Sequence, residues 1–370
     1  MAGFEDGAAR GLGRVALGMS GGVDSAVAAA VLLRAGYEVV GVTCLFCDDE
    51  ASHAAARDAM AVCEQLGICH VEADCAVLFE QQVMAPFARS YACGLTPSPC
   101  VGCNAACKLP ALMEVAEQMG CDRVATGHYA RIAQLSANGR FVVKTGLDAR
   151  KDQSYMLALL SQEQLARLVL PLGGLTKAEA RVMAHELGLA VADKPESQDI
   201  CFIDGDYRDF LAARGVADEP GDIVDADGRV LGRHVGLSGF TVGQRKGIGV
   251  AGPEPYYVVE KRVGTRELVV GTAAQARIGA VRVAAVNWQA FAQLDGPLEA
   301  AVKLRYRSEP VACIITPKRP FSPQADGGGA QDVEVALVGV QPATAPGQYA
   351  VFYQGATVLG GGMIEEVMRA

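Results

Sequence analysis

The hexapeptide Ser20-Gly21-Gly22-Val23-Asp24-Ser25 stands between two apolar runs, Val15–Met19 and Ala26–Leu33. Adjacent glycines permit positive φ and close backbone approach, while two serines and an aspartate supply hydroxyls and a helix cap. Placed after a strand and before a helix, such a loop holds a polyphosphate, because free N–H groups and the helix dipole favour anions there. No Gly-Lys-Ser/Thr closes the loop, so the Walker-A arrangement is excluded and a nucleotide site of another kind is expected.

Sulfur chemistry is the second signal. Thr96-Pro97-Ser98-Pro99-Cys100-Val101-Gly102-Cys103-Asn104 presents a Cys-x-x-Cys on a loop stiffened by two prolines. That suits a low-pKa nucleophile or a metal or cluster site. No second Cys-x-x-Cys or histidine pair completes a structural zinc site, and Cys107 reads as packing on the following helix. Taken alone, Cys201 reads as a core cysteine of a short apolar strand, and His128, between Gly127 and Tyr129, as a satisfied loop histidine.

These residues need a frame. The pattern predicts a helix over 24–35 ended by Gly36, a buried strand Glu38–Leu45, and a helix capped by Ser52 with apolar Ala56, Ala59, Met60, Cys63 and Leu66 before Gly67. Strand-like Ile68–Ala73, a helix Leu109–Met119 closed by Gly120, and a short strand Arg123–Thr126 follow. Such alternation implies an α/β fold with a doubly wound parallel sheet, the loops 20–25 and 127–129 lying at its C-terminal strand ends. Beyond about residue 205, clustered Gly and Pro and short valine-rich runs predict an all-β region with no long helix. The expected division is a nucleotide-binding domain over 1–204, a small mainly β central domain over 205–276 and a C-terminal β-barrel over 277–370, with Gly327-Gly328-Gly329 at a hairpin tip.

The 370 residues suit two or three domains, and no apolar run reaches the length of a membrane span. Glu5 and Asp6 without an apolar segment do not resemble a signal peptide, so a cytoplasmic protein is expected. In a reducing compartment the 12 cysteines are small core residues, ligands or reactive thiols rather than disulfides. Cys44, Cys47, Cys63, Cys69, Cys75, Cys93, Cys121 and Cys313 read as core. The net charge of −9 argues against general nucleic-acid binding. Residues 240–320, however, carry 12 Lys and Arg against 6 Asp and Glu, a net +6 on an acidic body that could grip RNA locally.

Read together, the motifs carry more. Ser20–Ser25 resembles the PP-loop of the N-type ATP pyrophosphatases, which cleave ATP to AMP and pyrophosphate and adenylate an oxygen. With Thr-Pro-Ser-Pro ahead of Cys103-Asn104, Ala125-Thr126-Gly127-His128-Tyr129, Lys151–Tyr155, Asp199-Ile200-Cys201-Phe202, Gly243–Gly247, Arg305-Tyr306 and Ala345–Gln348, the chain resembles, in order and almost throughout, the tRNA-specific 2-thiouridylases. The resemblance implies a PP-loop, adenine nucleotide alpha hydrolase-like domain with ATP and Mg²⁺ on Gly18, Met19, Ser20, Gly21, Gly22, Val23, Asp24 and Ser25, beside Cys44 and Gly127. It implies that O2 of a wobble uridine is adenylated, that Cys201 carries a persulfide from a sulfur-relay or cysteine desulfurase donor, and that Cys103 is the nucleophile that frees its sulfur. Ser98, Pro99, Cys100, His128, Lys151, Asp152, Gln153, Arg305, Tyr306 and Gln348 would contact tRNA. A monomer acting on one tRNA, with no membrane partner, is the expected state.

Cys100 departs from the family, where an aspartate, a candidate acid or base, is common; a thiol at its usual pKa does not replace a carboxylate. Either Cys100 has no chemical role, or Cys100, Cys103 and Cys201 ligate a [4Fe–4S] cluster with one iron left open. Two other readings stay open. A PP-loop ligase or amidotransferase predicts full turnover in Cys103→Ser, and a cysteine-based metal-binding module predicts no ATP–pyrophosphate exchange in the presence of tRNA.

Overall fold

The computed structural model describes residues 12–195, 200–216, 218–318, 322–323 and 329–370. The first unit is built on β1 (Arg14–Gly18), β2 (Glu38–Leu45), β3 (Cys69–Asp74), β4 (Arg123–Ala125) and, beyond a hairpin of β5 (Ala130–Gln134) and β6 (Phe141–Thr145), β7 (Leu168–Val169). β1, β2, β3, β4 and β7 form one parallel sheet in the order β3-β2-β1-β4-β7. Alternate side chains leave a strand on opposite faces, which is how valine-rich strands bury both sides. Val15, Leu17 and Val39 accordingly join the core under α1 (Val23–Arg34) and α2 (Glu50–Leu66), while Ala16, Val40 and Val42 join the core on the other face.

Asp49, not Ser52, caps α2: its carboxylate accepts the Ser52 N–H at 2.7 Å. Cys103 is not on a loop either. After α3 (Ala76–Phe79) and α4 (Ala85–Ala92), Ser98 begins a helical stretch of α5 (Pro99–Cys103), a π turn over Asn104–Lys108 and α6 (Leu109–Gln118). Pro99 sits in its first turn, where a missing N–H costs nothing, so the proline that read as a loop stiffener in fact starts a helix. The unit is completed by α7 (Gln162–Arg167) and α8 (Lys177–Glu186), both begun by capping boxes, from Ser161–Gln164 and Thr176–Glu179.

The region after 205 is not wholly β, because it opens on α9 (Tyr207–Ala213). The central sheet then runs β10-β11-β8-β9, from β8 (Gly221–Val224), β9 (Val230–His234), β10 (Tyr257–Arg262) and β11 (Glu267–Gly271). The last unit comprises β12 (Arg277–Trp288), β13 (Leu298–Lys303), β14 (Val311–Pro317), β15 (Ser322–Pro323), β16 (Gly329–Pro342), β17 (Tyr349–Gln354) and β18 (Thr357–Arg369). Among the described residues β12-β16-β14-β13-β17-β18 closes into an antiparallel barrel through the β12–β18 pairing, leaving no open edge. The β5–β6 hairpin joins that barrel sheet through Thr357↔Lys144, so residues 130–145 belong structurally to the last unit as much as to the first. Gly327 and Gly328 of the expected hairpin tip lie outside the described residues. No helix among the described residues is long and apolar enough to cross a membrane.

Candidate active site

Met19 leaves β1 with its N–H on Val42 O at 2.7 Å, and the glycine loop then turns into α1. Gly21 takes φ +64°, and a Cβ there would lie 2.2 Å from Ala55 O of α2, so only glycine fits. Gly22 is the N-cap and makes no side-chain cap bond, leaving the first amides of a twelve-residue helix for an anion. Ser25 Oγ accepts the Ser20 N–H at 3.2 Å and donates to Gly22 O at 3.0 Å, shaping the turn from inside. Gly127 lets the 127–129 loop press on this helix start: its missing Cβ would lie 3.1 Å from Asp24 C and Ser25 N.

Two lysines escaped the sequence reading. Lys177 donates to Asp24 Oδ1 at 2.6 Å, and Tyr129 donates its hydroxyl to the same oxygen at 2.7 Å. Lys194 holds the loop from behind, donating to Gly21 O at 2.9 Å and pairing with Asp58. Asp24, the carboxylate of the loop, is thus tied back by a cation. Capping boxes and Lys-Pro pairs are common enough that neither lysine stood out from its local sequence.

The thiols gather around the helix beginning at Ser98. Cys103 and Cys107 are buried in one apolar cluster with Phe79 and Val83, with Phe46, Cys47 and Phe202 packed against it. The Cys103 thiol is lowered to about 7, first by the neighbouring Cys107 thiol, then by Lys108, against its burial. Cys107 is pushed up by the Cys103 thiol beside it and by burial. Cys44, at the C-terminal end of β2, is pushed up by the neighbouring Cys75 thiol and by burial, while Cys75 is lowered by the same neighbour. Cys201 lies exposed in a turn rather than in the expected strand, within electrostatic reach of Lys108, Cys103, Cys100 and Cys47. Cys100, on the first turn after Ser98, is exposed as well. Asp199, beside Cys201, lies outside the described residues.

Of the cysteines read as core, Cys63, Cys75, Cys121 and Cys313 are buried and Cys44 and Cys47 half-buried, but Cys69 and Cys93 are exposed. Cys44, Cys47, Cys75 and Cys107 are drawn into the thiol group by tertiary packing that no local pattern announces.

The remaining expected residues divide by what they touch. His128 is a satisfied histidine, its Nδ1 2.8 Å from Thr126 Oγ1; burial, with Lys108 adding, pushes it down to about 3, so it is neutral. Asp152 accepts the N–H groups of Gly146 and Ser154 and the Ser154 hydroxyl, and Gln153 exchanges bonds with Tyr129, so both side chains brace the turn that carries Lys151. Gln348 donates to Thr96 O at 2.7 Å and Thr96 N–H bonds Pro346 O, clamping the segment ahead of Ser98 and Pro99 to the barrel. Arg305 is exposed at the turn after β13, and Tyr306 rests 5.9 Å from the Tyr155 ring. Within the basic stretch, Arg262, Arg266, Arg282 and Lys318 are ion-paired to Glu260 or Glu267, Glu219, Glu366 and Glu334, while Arg245 and Lys246 stand exposed.

Three family models match the chain in order: a tRNA methyl transferase HUP domain over residues 13–205, a tRNA methyl transferase PRC-barrel domain over 208–272 and an aminomethyltransferase beta-barrel domain over 279–364. A tRNA-specific 2-thiouridylase MnmA of Trichormus variabilis is 42% identical over 360 residues, covering 95% of this chain and 99% of that protein. The protein of the same name from Parasynechococcus marenigrum is 45% identical over 358 residues, covering 95% and 90%. Among solved structures, the U34-tRNA thiolase NcsA of Methanococcus maripaludis with its [4Fe-4S] cluster aligns at TM-score 0.34 and 18% identity, over 55% of this chain and 64% of that one, too distant for any inference.

Proposed function

The chain belongs to the tRNA-specific 2-thiouridylase family, and from that premise we propose that it is an ATP-dependent tRNA sulfurtransferase making 2-thiouridine at the wobble position. The family models are described by methyl transfer, but the relatives matching across all three units carry a thiolating name.

The observation that carries the reading is the apolar cluster that buries Cys103 and against which Phe202, next to Cys201, packs, with the Cys103 thiol lowered to about 7. Lys108 acts on both thiols and also on His128, which neighbours the glycine loop. ATP, with Mg²⁺, lies on Gly18–Ser25 with its phosphates at the free amides of α1. Uridine O2 attacks the α-phosphorus and pyrophosphate leaves, making the C2 oxygen part of a good leaving group. Cys201 carries a persulfide delivered by a donor protein. The Cys103 thiolate attacks the Cys201 sulfur, hydrosulfide leaves, and a Cys103–Cys201 disulfide forms; hydrosulfide adds at C2 and AMP departs. An external dithiol returns the two electrons before the next cycle. Arg245, Lys246, Lys151 and Arg305 offer cations to the tRNA backbone, and neutral His128 offers hydrogen bonds only.

A cluster on Cys100, Cys103 and Cys201 is not supported by the donor set. Among the described residues no three metal-ligating side chains are arranged to hold an ion.

Incubation of wild type, Cys201→Ser and Cys103→Ser with a persulfide donor tests the sulfur route by intact mass. Wild type and Cys103→Ser should gain one sulfur on Cys201, Cys201→Ser none, and only wild type should go on to thiolate tRNA. Full thiolation by Cys103→Ser would refute the reading.

A further inference from the structure

Cys100 and Cys103 stand three residues apart on α5. With the roughly 3.6 residues per turn, 1.5 Å rise and 2.3 Å Cα radius of an α-helix, that spacing puts their Cα atoms about 5 Å apart, inside the roughly 4.4–6.8 Å that a disulfide spans. Their Cβ atoms, roughly 5–6 Å apart on such a turn, need to close by about 1–2 Å. The first turn can give that much, because Ser98 makes no side-chain capping bond and Pro99 has no N–H to anchor. The rest of the turn is fixed: Val101 is buried, a Cβ on Gly102 would lie 3.2 Å from the Tyr349 hydroxyl, and Asn104 donates to Met156 O at 3.1 Å. Exposure separates the thiols. Cys103 is 9% exposed and Cys107 fully buried. The exposed cysteines are Cys69, Cys93, Cys100 and Cys201, and of these only Cys100 shares a helix with Cys103. Cys201 comes from another element, and its neighbour Phe202 packs 5.5 Å from the ring of Phe79, which lies in the buried cluster with Cys103.

Resting on the thiouridylase reading for the step that leaves a Cys103–Cys201 disulfide, we propose that Cys100 is a further catalytic residue, the resolving thiol that converts it into a Cys100–Cys103 disulfide. Cys100 gives up its proton and attacks the Cys103 sulfur as a thiolate. The Cys103–Cys201 bond breaks, the Cys100–Cys103 bond forms, and Cys201 leaves as a thiolate that takes up a proton, with no net change in electrons. An external dithiol then attacks the exposed Cys100 sulfur; it is oxidised to its own disulfide, and Cys100 and Cys103 return as thiols. Cys201 is free to accept its next sulfur while that reduction is pending. The aspartate common at this position in the family cannot make this exchange, so the step is particular to a chain with cysteine here.

The test uses the full chain without ATP, tRNA or a sulfur donor, so it is independent of whether 2-thiouridine is ever made. Reduced protein is oxidised with stoichiometric diamide and alkylated with N-ethylmaleimide, and its bridges are located by tandem mass spectrometry of the unreduced digest. Wild type should carry a Cys100–Cys103 bridge with Cys201 alkylated. Cys100→Ser should carry a Cys103–Cys201 bridge instead and lose the label at Cys201. Cys201→Ser should keep the Cys100–Cys103 bridge. The wild-type map needs no substitution, so it decides the matter even where a variant does not fold. A wild-type bridge from Cys103 to Cys107 or Cys201 with Cys100 alkylated, or no bridge at Cys103, would overturn the proposal. A Cys100–Cys103 bridge in a protein that never thiolates tRNA refutes the enzymatic reading instead.

Discussion

Gly21→Ala is the sharpest perturbation of the nucleotide loop. The backbone there is left-handed at φ +64°, a conformation that costs a residue with a Cβ roughly 1–2 kcal/mol. The added Cβ would also stand 2.2 Å from Ala55 O and 3.0 Å from Ala55 Cα, and neither belongs to a side chain that could swing away. Relief requires the loop and α2 to part by about 1 Å, and misplacing a bound reactant by that distance can cost about 100-fold in rate. Gly22→Ala is the matched comparison: its Cβ would meet only Ser20 Oγ at 3.5 Å, on backbone at φ −111°. Thermal unfolding followed by circular dichroism without ATP should therefore show Gly21→Ala below wild type by several degrees and Gly22→Ala by about a degree or two, since an alanine N-cap loses under roughly 1 kcal/mol. ATP–pyrophosphate exchange in the presence of tRNA should fall about 100-fold in Gly21→Ala. Wild-type melting and exchange in Gly21→Ala would refute the close-approach reasoning.

Three further outcomes follow from contacts around the site. Lys177→Met removes the cation from Asp24, a largely buried pair on the lysine side, and should cost about 2 kcal/mol by chemical denaturation, below the range for fully buried pairs because Asp24 is 35% exposed. His128 has its folded-state value depressed to about 3, so its stabilisation is complete above the unfolded value near 6.5 and is lost progressively as pH falls from there toward 3. By pH 5 this loss is about 2 kcal/mol, and His128→Gln should flatten the pH dependence of stability by that amount. Gln348→Ala removes the bond to Thr96 O, worth about 1 kcal/mol, and should speed amide exchange at residues 94–98 while raising KM for tRNA by up to about fivefold.

What was legible in the sequence was what is local. β2 occupies Glu38–Leu45 as its valine pattern says, and Gly67 ends α2 in the left-handed conformation its position suggests. Caps and boundaries slipped where two residues compete: Asp49 and Ser52 both suit an N-cap, and the aspartate takes it by accepting the serine's N–H. Pro97 and Pro99 read as loop formers because X-Pro disfavours helix before it, yet Pro99 is at the one helical position that tolerates proline. The thiol group was only half visible. Cys103 and Cys201 carry motif signatures, whereas Cys44, Cys75 and Cys107 sit on elements brought together by the sheet order, and the π turn that contains Cys107 has no sequence signal of its own. The β5–β6 hairpin likewise joins the barrel through a pairing more than two hundred residues distant in sequence.

The most direct measurement is mass spectrometry of nucleosides from tRNA incubated with the protein, ATP, Mg²⁺ and an active persulfide donor, with AMP and pyrophosphate quantified alongside. The site described here predicts 2-thiouridine at the wobble position, with one AMP and one pyrophosphate released for each sulfur inserted. Unmodified uridine in the presence of a donor shown to load Cys201, or sulfur insertion without ATP cleavage, would contradict it.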